Sequence, residues 1–324
     1  CRGAWRLHRG LRAAGVDSCM IVQDKLGDDP HVHGPVGNVA KAIGKVRPYA
    51  DQAFVSAVTP GVKSHFSAQW MRGPFLDRLS KLKSDLVHLH WICGGFVRIE
   101  DLARIGVPLV WTFRDSWPMT GGCHCRAECD RFERRCGRCP HLGARKERDL
   151  SRWIWNRKAA AWRDVNIAVV APSTWMAGNA RRSSLFGRSR IEVIPHGVDT
   201  AVYRPMRQAL ARERTGLPPD RRIVMFSAMM ATSDANKGFK HLGAALRQLG
   251  QTRADVEALV VGAGEPENPP DLGMKVHYAG RCHDDLAMAL FYAAADVLVV
   301  PSEEENCPNT IIEAMAAGTP TVAF

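Results

Sequence analysis

A chain of 324 residues with 46% hydrophobic residues can form two domains with substantial cores, which excludes a disordered protein. It has no signal-peptide pattern and no apolar run of the roughly 20 residues that span a bilayer, so we expect a cytoplasmic protein. The net charge of +11 indicates either an anionic partner or a solvated basic face. Because no motif of interleaved aromatic and basic residues is present, we expect no nucleic acid partner.

Short runs rich in Val, Ile and Leu alternate with amphipathic stretches along most of the chain, which is typical of parallel strands separated by helices. The predicted strands are 17–23, 85–91, 107–113, 166–172, 190–195, 222–228, 256–262, 275–280 and 296–301. The predicted helices are 4–15, 146–164 and 239–250. Region 24–75 is interpreted as irregular. Repeated strand–helix units predict an α/β protein with doubly wound parallel sheets.

A loop containing Pro and Gly at 195–205 separates two series of strand–helix units. It predicts two Rossmann-like domains, residues 1–195 and 196–324, with ligands bound beyond the carboxyl ends of the strands in the cleft between them. The first residue is Cys rather than Met. The last residues form a predicted turn and strand, with no further element after them to complete the second domain. We therefore expect a fragment truncated at both ends.

Residues 126–164 carry twelve Lys or Arg against six Asp or Glu, so +6 of the net charge lies there. One interpretation is a solvated basic face. Another is an anionic membrane surface, touched by Trp153, Trp155 and Trp162, which would make the protein peripheral on the inner face of the membrane. Ordinary helix packing would account equally for these tryptophans.

Five of the ten cysteines cluster within a segment, 117–142, that we interpret as an insertion in the first domain. Cys123, Cys129, Cys136 and Cys139 have the spacing C-x5-C-x6-C-x2-C, and the last two belong to a Cys-Gly-Arg-Cys-Pro turn. This spacing is typical of a tetrahedral zinc site, and four thiolates would make the zinc structural because no position stays open. Unliganded thiols or labile disulfides are the alternative.

The stretch ENCPNTIIE, residues 305–313, places two glutamates around the start of a predicted helix. The amides of its first turn form an anion site, to which the side chains of Asn309 and Thr310 add donors. Carboxylates accept hydrogen bonds from sugar hydroxyls, so the pattern suits a nucleotide sugar. The alternative is that Glu305 is a surface loop residue and that Glu313 is a helix residue whose carboxylate is hydrogen-bonded within the protein.

With its flanks, PSEEENCPNTIIEAMAAGTP resembles the signature of family 4 retaining glycosyltransferases, which have the GT-B fold. The resemblance implies that Glu305 faces the donor sugar hydroxyls and that Glu313 faces the nucleotide ribose. The segment ANKGF resembles the family's diphosphate-binding loop and implies that Lys237 contacts the β-phosphate. The Arg that usually accompanies this Lys is absent, and Met and Ala occupy that part of the loop.

Two shorter segments agree with the same family. IPHGVD is similar to its crossing between domains and supplies His196 and Gly197. YAGR is similar to its stretch near the nucleotide base and supplies Gly280 and Arg281. The resemblance implies that all four residues belong to the donor site.

In the first domain, WTFRDSWPMTGGCHC resembles glycosyltransferases of exopolysaccharide and colanic-acid-type synthesis, where WTLHDMWPFTGGCHY is usual. Arg114 stands in place of the family's His, which lies near the reacting carbon. An Arg can hold a phosphate or an acceptor oxygen, but it cannot act as a neutral base. Asp115 and His90 are further candidates for the chemistry, and a buried, satisfied His90 is the alternative for that residue.

The resemblance implies a retaining hexosyltransferase that uses a nucleoside diphosphate sugar and a polyprenyl-linked or polysaccharide acceptor. It implies no catalytic metal, because Lys237 and helix amides stabilise the departing diphosphate. A catalytically inactive, sugar-nucleotide-binding or scaffold protein is the alternative, motivated by Arg114 and the missing Arg. A zinc-dependent nucleic-acid binder would leave residues 190–324 unexplained.

Overall fold

The computed structural model describes residues 2–62, 65–227 and 235–323. The chain divides into two compact units, residues 1–195 and 196–324. Each unit contains a parallel sheet whose strands alternate with helices. The predicted fold class, α/β with two Rossmann-like domains, is confirmed.

The first unit is built around a four-stranded parallel sheet with the order β3-β4-β5-β6, and β1 and β2 form a separate parallel pair. Its strands are β1 (Met20–Ile21), β2 (Val32–His33), β3 (Val87–Leu89), β4 (Leu109–Thr112), β5 (Ile167–Ala171) and β6 (Ile191–Val193). Its helices are α1 (Arg2–Ala13), α2 (Asn38–Val58), α3 (Phe75–Leu79), α4 (Leu150–Ala161) and α5 (Thr174–Arg182). Short 3-10 turns cover Ile99–Arg104, Trp117–Met119, Arg131–Glu133 and Pro140–Leu142.

The second unit is built around a five-stranded parallel sheet with the order β11-β10-β7-β8-β9. Its strands are β7 (Arg222–Ser227), β8 (Val256–Val261), β9 (Val276–Tyr278), β10 (Val297–Val300) and β11 (Thr321–Ala323). Its helices are α6 (Gln208–Thr215), α7 (Phe239–Gly250), α8 (Asp285–Ala294) and α9 (Asn309–Ala316), with a 3-10 turn at Ala235–Lys237. All six residues of β8 are buried, as expected for a strand covered on both faces.

The predicted helix 239–250 is observed with the same bounds, and every other predicted strand and helix corresponds to an observed element that is shorter or shifted by a few residues. The interpretation of region 24–75 as irregular is wrong, because it contains β2 and the 21-residue helix α2. Gly44 and Pro48 lie inside α2 and argue against a helix in the sequence. Helix α2 also exposes apolar side chains, so it lacks the polar face that identifies a surface helix.

Two of the three tryptophans of the basic segment pack within the first unit. Trp162 is buried, and its Nε1 donates a hydrogen bond to the carbonyl oxygen of Ile99 at 2.9 Å. Trp155 packs against the core, and the ring of Trp153 lies 4.4 Å from the guanidinium carbon of Arg157. Helix packing therefore accounts for Trp155 and Trp162, whereas Trp153 is 42% exposed, and the membrane interpretation of this segment stays a prediction. Among the described helices, none combines the length and the apolar character needed to cross a bilayer.

Candidate active site

The donor-site candidates of the second unit follow the carboxyl ends of its strands. Lys237 comes after β7, Glu305 after β10, and Gly280 with Arg281 after β9. Because parallel strands end at a common edge, these residues lie along one edge of the sheet. Strands β7 and β10 are neighbours, so Lys237 and Glu305 meet at this edge.

Lys237 and Glu305 form an ion pair, with 2.5 Å between Nζ and Oε1. Both side chains are about one quarter exposed, at 26% and 27%. The backbone holds the two loops together: the Glu303 amide donates to the Asn236 carbonyl oxygen at 2.9 Å, and the Asn236 side-chain amide donates to the Glu304 carbonyl oxygen at 3.0 Å. The pair thus rests on a fixed loop-to-loop contact.

Gly238 explains why this contact needs a glycine directly after the lysine. Its φ is +67°, and a Cβ built on it would lie 1.7 Å from the carbonyl oxygen of Pro301. Any side chain would push the loop after β10 away from the turn that carries Lys237. The Lys-Gly step is therefore required by close backbone packing.

A second, more exposed group of charges lies beside this pair. Lys240 Nζ is 2.8 Å from Glu303 Oε1, and His241 Nε2 is 3.2 Å from the same oxygen. The hydrogen bonds from Lys240 and then His241 lower the pKa of Glu303. Lys240 and His241 belong to helix α7, whereas Lys237 lies in the turn that precedes this helix.

Helix α9 presents its first turn at the same edge. The helix begins at Asn309 with Pro308 as its N-cap, so the proline precedes the first turn instead of lying in it. Asn309 and Thr310 are half-buried. Glu313 is only 1% exposed, and its Oε2 accepts a hydrogen bond from the Tyr292 hydroxyl at 2.9 Å. This burial matches the alternative of a satisfied helix residue, so a ribose contact by Glu313 stays a prediction.

The remaining donor-site candidates, His196, Gly197, Gly280 and Arg281, lie at two separate places in the second unit. His196 is half-buried and Gly197 exposed at the start of the second unit, and a Cβ on Gly197 would meet no atom within 4 Å. Gly280 has φ +67° and its carbonyl oxygen accepts from the Gly262 amide at 2.7 Å, while Arg281 is exposed. The loop in which the usual Arg is missing, residues 228–234, lies outside the described residues.

In the first unit, Asp115 follows β4 and is engaged on both carboxylate oxygens. Oδ1 accepts from the Trp117 amide at 2.9 Å, and Oδ2 accepts from His124 Nδ1 at 2.6 Å and from Trp91 Nε1 at 3.1 Å. Burial of Asp115 favours its protonated form and raises its pKa. The electrostatic attraction and the hydrogen bond of His124 outweigh this effect, so the pKa of Asp115 is lowered. The network continues to Ser67, whose Oγ lies 2.9 Å from His124 Nε2. Asp115 is thus an anchored carboxylate rather than a ready proton acceptor.

Arg114, which precedes Asp115 in the same loop, lies near His90 and helix α1. Its Nη2 lies 3.3 Å from Nδ1 of His90, and its Nη1 lies 2.5 Å from the position of a Cβ on Gly3 in α1. Arg114, His90 and Asp115 line one cavity together with Trp91. The structure therefore brings together the three residues that the sequence proposed for the chemistry of this unit.

The structure also places a lysine here that the sequence did not single out. Lys158 of α4 is fully buried. Its ammonium group donates hydrogen bonds to the carbonyl oxygen of Trp117 and to that of Thr120, the latter at 2.9 Å. The ammonium nitrogen also lies 3.4 Å from the centre of the Trp117 ring. Burial lowers the pKa of Lys158 to about 7. The residue holds the loop that carries Asp115, and nothing in its local sequence distinguishes it from the other basic residues of the segment.

The four cysteines of the predicted zinc site, Cys123, Cys129, Cys136 and Cys139, line one small cavity. All four are free thiols. Burial raises the pKa of Cys123 well above its ordinary value and that of Cys136 to about 12. Within the described parts of the chain, no group of three or more His, Cys, Asp or Glu side chains is arranged to hold a metal ion. Both zinc binding and the alternative of unliganded thiols therefore stay predictions.

These features define a two-unit α/β protein with anchored charged residues at the carboxyl edges of both parallel sheets. Residues 2–202 match the sequence profile described as Glycosyltransferase Family 4, and residues 221–324 match that of Glycosyl transferases group 1. The chain belongs to glycosyltransferase family 4.

Curated relatives include a D-inositol 3-phosphate glycosyltransferase of Acidothermus cellulolyticus, 31% identical over 257 residues, with 74% of this chain and 52% of the relative covered. The enzyme of the same name from Segniliparus rotundus is 29% identical over 252 residues, with 74% and 51% covered. The chain thus spans about half the length of the curated relatives it matches.

Two solved structures share the fold. Sucrose-phosphate synthase from Thermosynechococcus elongatus aligns with a TM-score of 0.64 and 22% identity, covering 98% of this chain and 73% of that chain. WaaG, a glycosyltransferase involved in lipopolysaccharide biosynthesis, aligns with a TM-score of 0.59 and 16% identity, covering 99% and 76%. At these identities the similarity establishes the fold alone.

Proposed function

We propose that this protein is a retaining glycosyltransferase that moves a hexose from a nucleoside diphosphate sugar to an acceptor hydroxyl. The observation that carries the proposal is the Lys237–Glu305 ion pair at the carboxyl edge of the five-stranded sheet. An ammonium group has three N–H donors, so donation to Glu305 is compatible with donation to a phosphate oxygen. Family membership supports this assignment of the site.

In the proposed reaction, the bond between the sugar C1 and the diphosphate oxygen breaks, and its electron pair leaves with the diphosphate. Lys237 and the first-turn amides of α9 stabilise the negative charge that develops on that oxygen. The acceptor oxygen forms the new bond to C1 on the same face, and its proton passes to the departing phosphate. Glu305 accepts hydrogen bonds from the sugar hydroxyls and positions C1. No step requires a catalytic metal.

We propose that the first unit binds the acceptor, with Arg114 contacting an acceptor oxygen or phosphate. A polyprenyl-linked or polysaccharide acceptor follows from the resemblance of the WTFRDSWPMTGGCHC segment to enzymes of cell-surface polysaccharide synthesis. The names of the curated relatives add D-inositol 3-phosphate as a second acceptor to test. A phosphate-bearing acceptor of either kind suits a guanidinium in this cavity.

The test is a screen of UDP-, GDP- and ADP-sugars for release of the nucleoside diphosphate, first with water and then with each acceptor. We expect one donor to be consumed faster when an acceptor is present, and the anomeric proton of the product to show retained configuration by NMR. Binding of a donor without turnover would favour the inactive sugar-nucleotide-binding protein. Failure to bind any of the donors would contradict the proposal.

A further inference from the structure

Two exposed tryptophans of the first unit meet on one partly buried phenylalanine. Trp70 and Trp153 are 40% and 42% exposed. The ring of Phe54, which packs against the core, has its centroid 5.2 Å from that of Trp70 and 6.0 Å from that of Trp153. Phe54 lies on α2, Trp153 on α4, and Trp70 in the segment between α2 and α3. We refer to these three rings as the aromatic platform.

The position of Trp70 depends on the residue before it, Gln69. Gln69 is fully buried and has a φ of +47°, a left-handed conformation that is unfavourable for a residue with a Cβ. Its side-chain nitrogen donates to the carbonyl oxygens of Ile92 and Val97 at 2.6 and 2.7 Å, and its side-chain oxygen accepts from the Gly95 amide at 2.7 Å. Strained residues held this firmly cluster at ligand-binding sites, so the conformation points to a function of this segment.

Trp153 is held by the guanidinium group of Arg157, whose carbon lies 4.4 Å from the ring centre. Arg157 donates to the two carboxylate oxygens of Glu100 at 2.7 and 2.9 Å. It also donates to the carbonyl oxygens of Ala68 and Gln69, each at 2.9 Å. One arginine therefore fixes both Trp153 and the strained backbone of the neighbouring segment. Rings that are fixed in advance bind a ligand with little loss of conformational entropy.

The chemistry of the aromatic platform suits a carbohydrate chain. The C–H face of a pyranose ring packs on a flat aromatic ring, and indole offers the largest such surface. Glu100, whose side chain is 33% exposed, pairs with Arg157 and places a carboxylate near Trp153 for sugar hydroxyls. Asn156, exposed about one turn further along α4, adds a carboxamide. Because the guanidinium of Arg157 already has a carboxylate partner, a ligand rich in hydroxyls fits this surface better than a phosphate does.

The aromatic platform is connected to the cavity of the first unit through one loop. Gln69 donates to the carbonyl oxygen of Ile92, and residues 90–93 line the cavity to which Arg114 and Asp115 also contribute. The segment that presents Trp70 is therefore hydrogen-bonded to the wall of the proposed acceptor cavity. An acceptor made of several sugar units suits this arrangement, because its reacting end and the units behind it need separate binding surfaces.

We propose that Trp70, Phe54 and Trp153 bind the glycan chain of the acceptor, behind the sugar unit that reacts. Pyranose rings stack on the two indoles, and Glu100 and Asn156 form hydrogen bonds with their hydroxyls. This inference rests on the proposed function, since it takes the acceptor to be a glycan. It selects an oligosaccharide or polysaccharide acceptor over D-inositol 3-phosphate or a polyprenyl phosphate that carries no glycan.

The test is affinity electrophoresis of the full chain in native gels that contain soluble starch, hydroxyethyl cellulose or galactomannan. These polysaccharides are neutral, so the net charge of +11 does not itself cause retardation. We expect at least one of them to retard the wild type, and Trp70→Ala and Trp153→Ala each to weaken that binding about tenfold. The matched control is Trp175→Ala, because Trp175 is 38% exposed and its ring lies 5.3 Å from the guanidinium carbon of Arg126. This variant should bind like the wild type.

Trp153→Phe keeps an aromatic face and should retain most of the binding, which separates loss of stacking from loss of folding. Circular dichroism would verify that each variant folds. Equal retardation of the wild type, Trp70→Ala and Trp153→Ala would overturn the proposal, as would a wild type that none of the three polysaccharides retards. If Trp153→Ala loses binding to phosphatidylglycerol vesicles but keeps its retardation, the platform contacts a membrane and the proposal is also overturned.

The electrophoresis contains neither donor nor acceptor, so its outcome is independent of transfer. Retardation that depends on Trp70 and Trp153, in a chain that transfers no sugar, would support the aromatic platform while the proposed function failed. Transfer to an acceptor without such retardation would overturn the aromatic platform and leave the proposed function in place.

Discussion

The ammonium group of Lys237 lies 2.5 Å from a carboxylate oxygen of Glu305, although 68 residues separate them in the chain. The contact joins the loops after two neighbouring strands, β7 and β10. Gly238 makes it possible, because its backbone packs against the carbonyl oxygen of Pro301 where no side chain would fit. The ion pair, the hydrogen bonds between the two loops and the packing of Gly238 thus all hold Lys237 beside Glu305.

Replacing Lys237 with Ala should lower kcat with the best donor by about 100- to 1000-fold, because the developing charge on the diphosphate loses its cation. The matched control is Lys240→Ala, since Lys240 pairs with the exposed Glu303 and lies on α7. Steady-state rates of nucleoside diphosphate release would measure both. Equal losses in the two variants would contradict a specific role for Lys237.

Glu313→Ala should weaken binding of the donor by about 1.5–3 kcal/mol, the size of a charge-assisted hydrogen bond, if Glu313 contacts the ribose. The buried hydrogen bond from Tyr292 gives the matched control, because Tyr292→Phe removes that bond and keeps the carboxylate. Calorimetry would measure affinity, and thermal unfolding would measure stability. If Glu313→Ala lowers stability but leaves the affinity unchanged, the glutamate supports α9 and does not bind the donor.

Lys158 should make stability depend on pH. Its pKa of about 7 in the folded chain is below the ordinary value of 10.5, so above pH 7 the unfolded chain retains a proton that the folded chain releases. The contribution of Lys158 to the free energy of unfolding should therefore rise by about 1.6 kcal/mol from pH 7 to about 8.5. Lys158→Met, which keeps the apolar stem, should remove this rise. The comparison stops near pH 8.5, because the raised pKa of buried Cys123 acts with the opposite sign in more alkaline solution.

Urea unfolding at several pH values, followed by tryptophan fluorescence, would measure the difference between wild type and variant. A parallel pH dependence of the two proteins would show that Lys158 stays charged in the folded chain. Its contacts with Trp117 and Thr120 would then compensate fully for burial of the ammonium group.

The cysteine cluster allows a direct test of the zinc prediction. If Cys123, Cys129, Cys136 and Cys139 bind zinc, protein purified without chelators should contain about one zinc per chain, with four sulfur ligands near 2.3 Å by X-ray absorption. Removing the metal should then lower the melting temperature and leave donor binding in place, because the donor candidates belong to the second unit. Protein free of zinc would establish the buried thiols as core residues.

The sequence was sufficient for the strands of both sheets, because runs such as VEALVV are apolar on both faces and have few other stable placements. It was also sufficient to propose Lys237 and Glu305 together, since each lies in a motif of its own. It could not reveal that Glu313 is buried against Tyr292, because that contact joins two helices through tertiary packing. The same holds for His124, whose role depends on the separate positions of Asp115 and Ser67.

Helix α2 shows a different limit of sequence interpretation. Val39, Ile43 and Val46 face outward, and the buried face contains Gly44 and Asp51 beside Val55, so the usual relation between hydrophobicity and burial is partly reversed. A pattern method assigns such residues to a core or to no regular element. The hydrogen bonds of Arg47 and Asp51, with the burial of Val55, establish which face is anchored.

Arg114 decides whether the first unit has kept a group that takes part in the reaction. Its guanidinium lies near His90 in the cavity that Asp115 also lines, where the family has a His instead. If Arg114 clamps a phosphate or an acceptor oxygen, Arg114→His should lower kcat or raise the acceptor KM. If the family His contributes to the chemistry and Arg114 has replaced it at a cost, the same variant should raise kcat. A positioned polar or proton-transfer group is worth about 10²- to 10⁴-fold in rate, so either change is measurable.

The matched control is Arg145→His, which makes the same substitution at an exposed position of the basic segment. Initial rates at varied acceptor concentration separate kcat from KM, and donor binding by calorimetry shows that the second unit is intact. A wild-type chain that binds donor without transfer, and gains transfer through Arg114→His, would establish the natural sequence as an inactive sugar-nucleotide-binding protein. Identical kinetics for wild type, Arg114→His and Arg145→His would place position 114 outside the reaction, because loss of a guanidinium from an acceptor cavity cannot be silent.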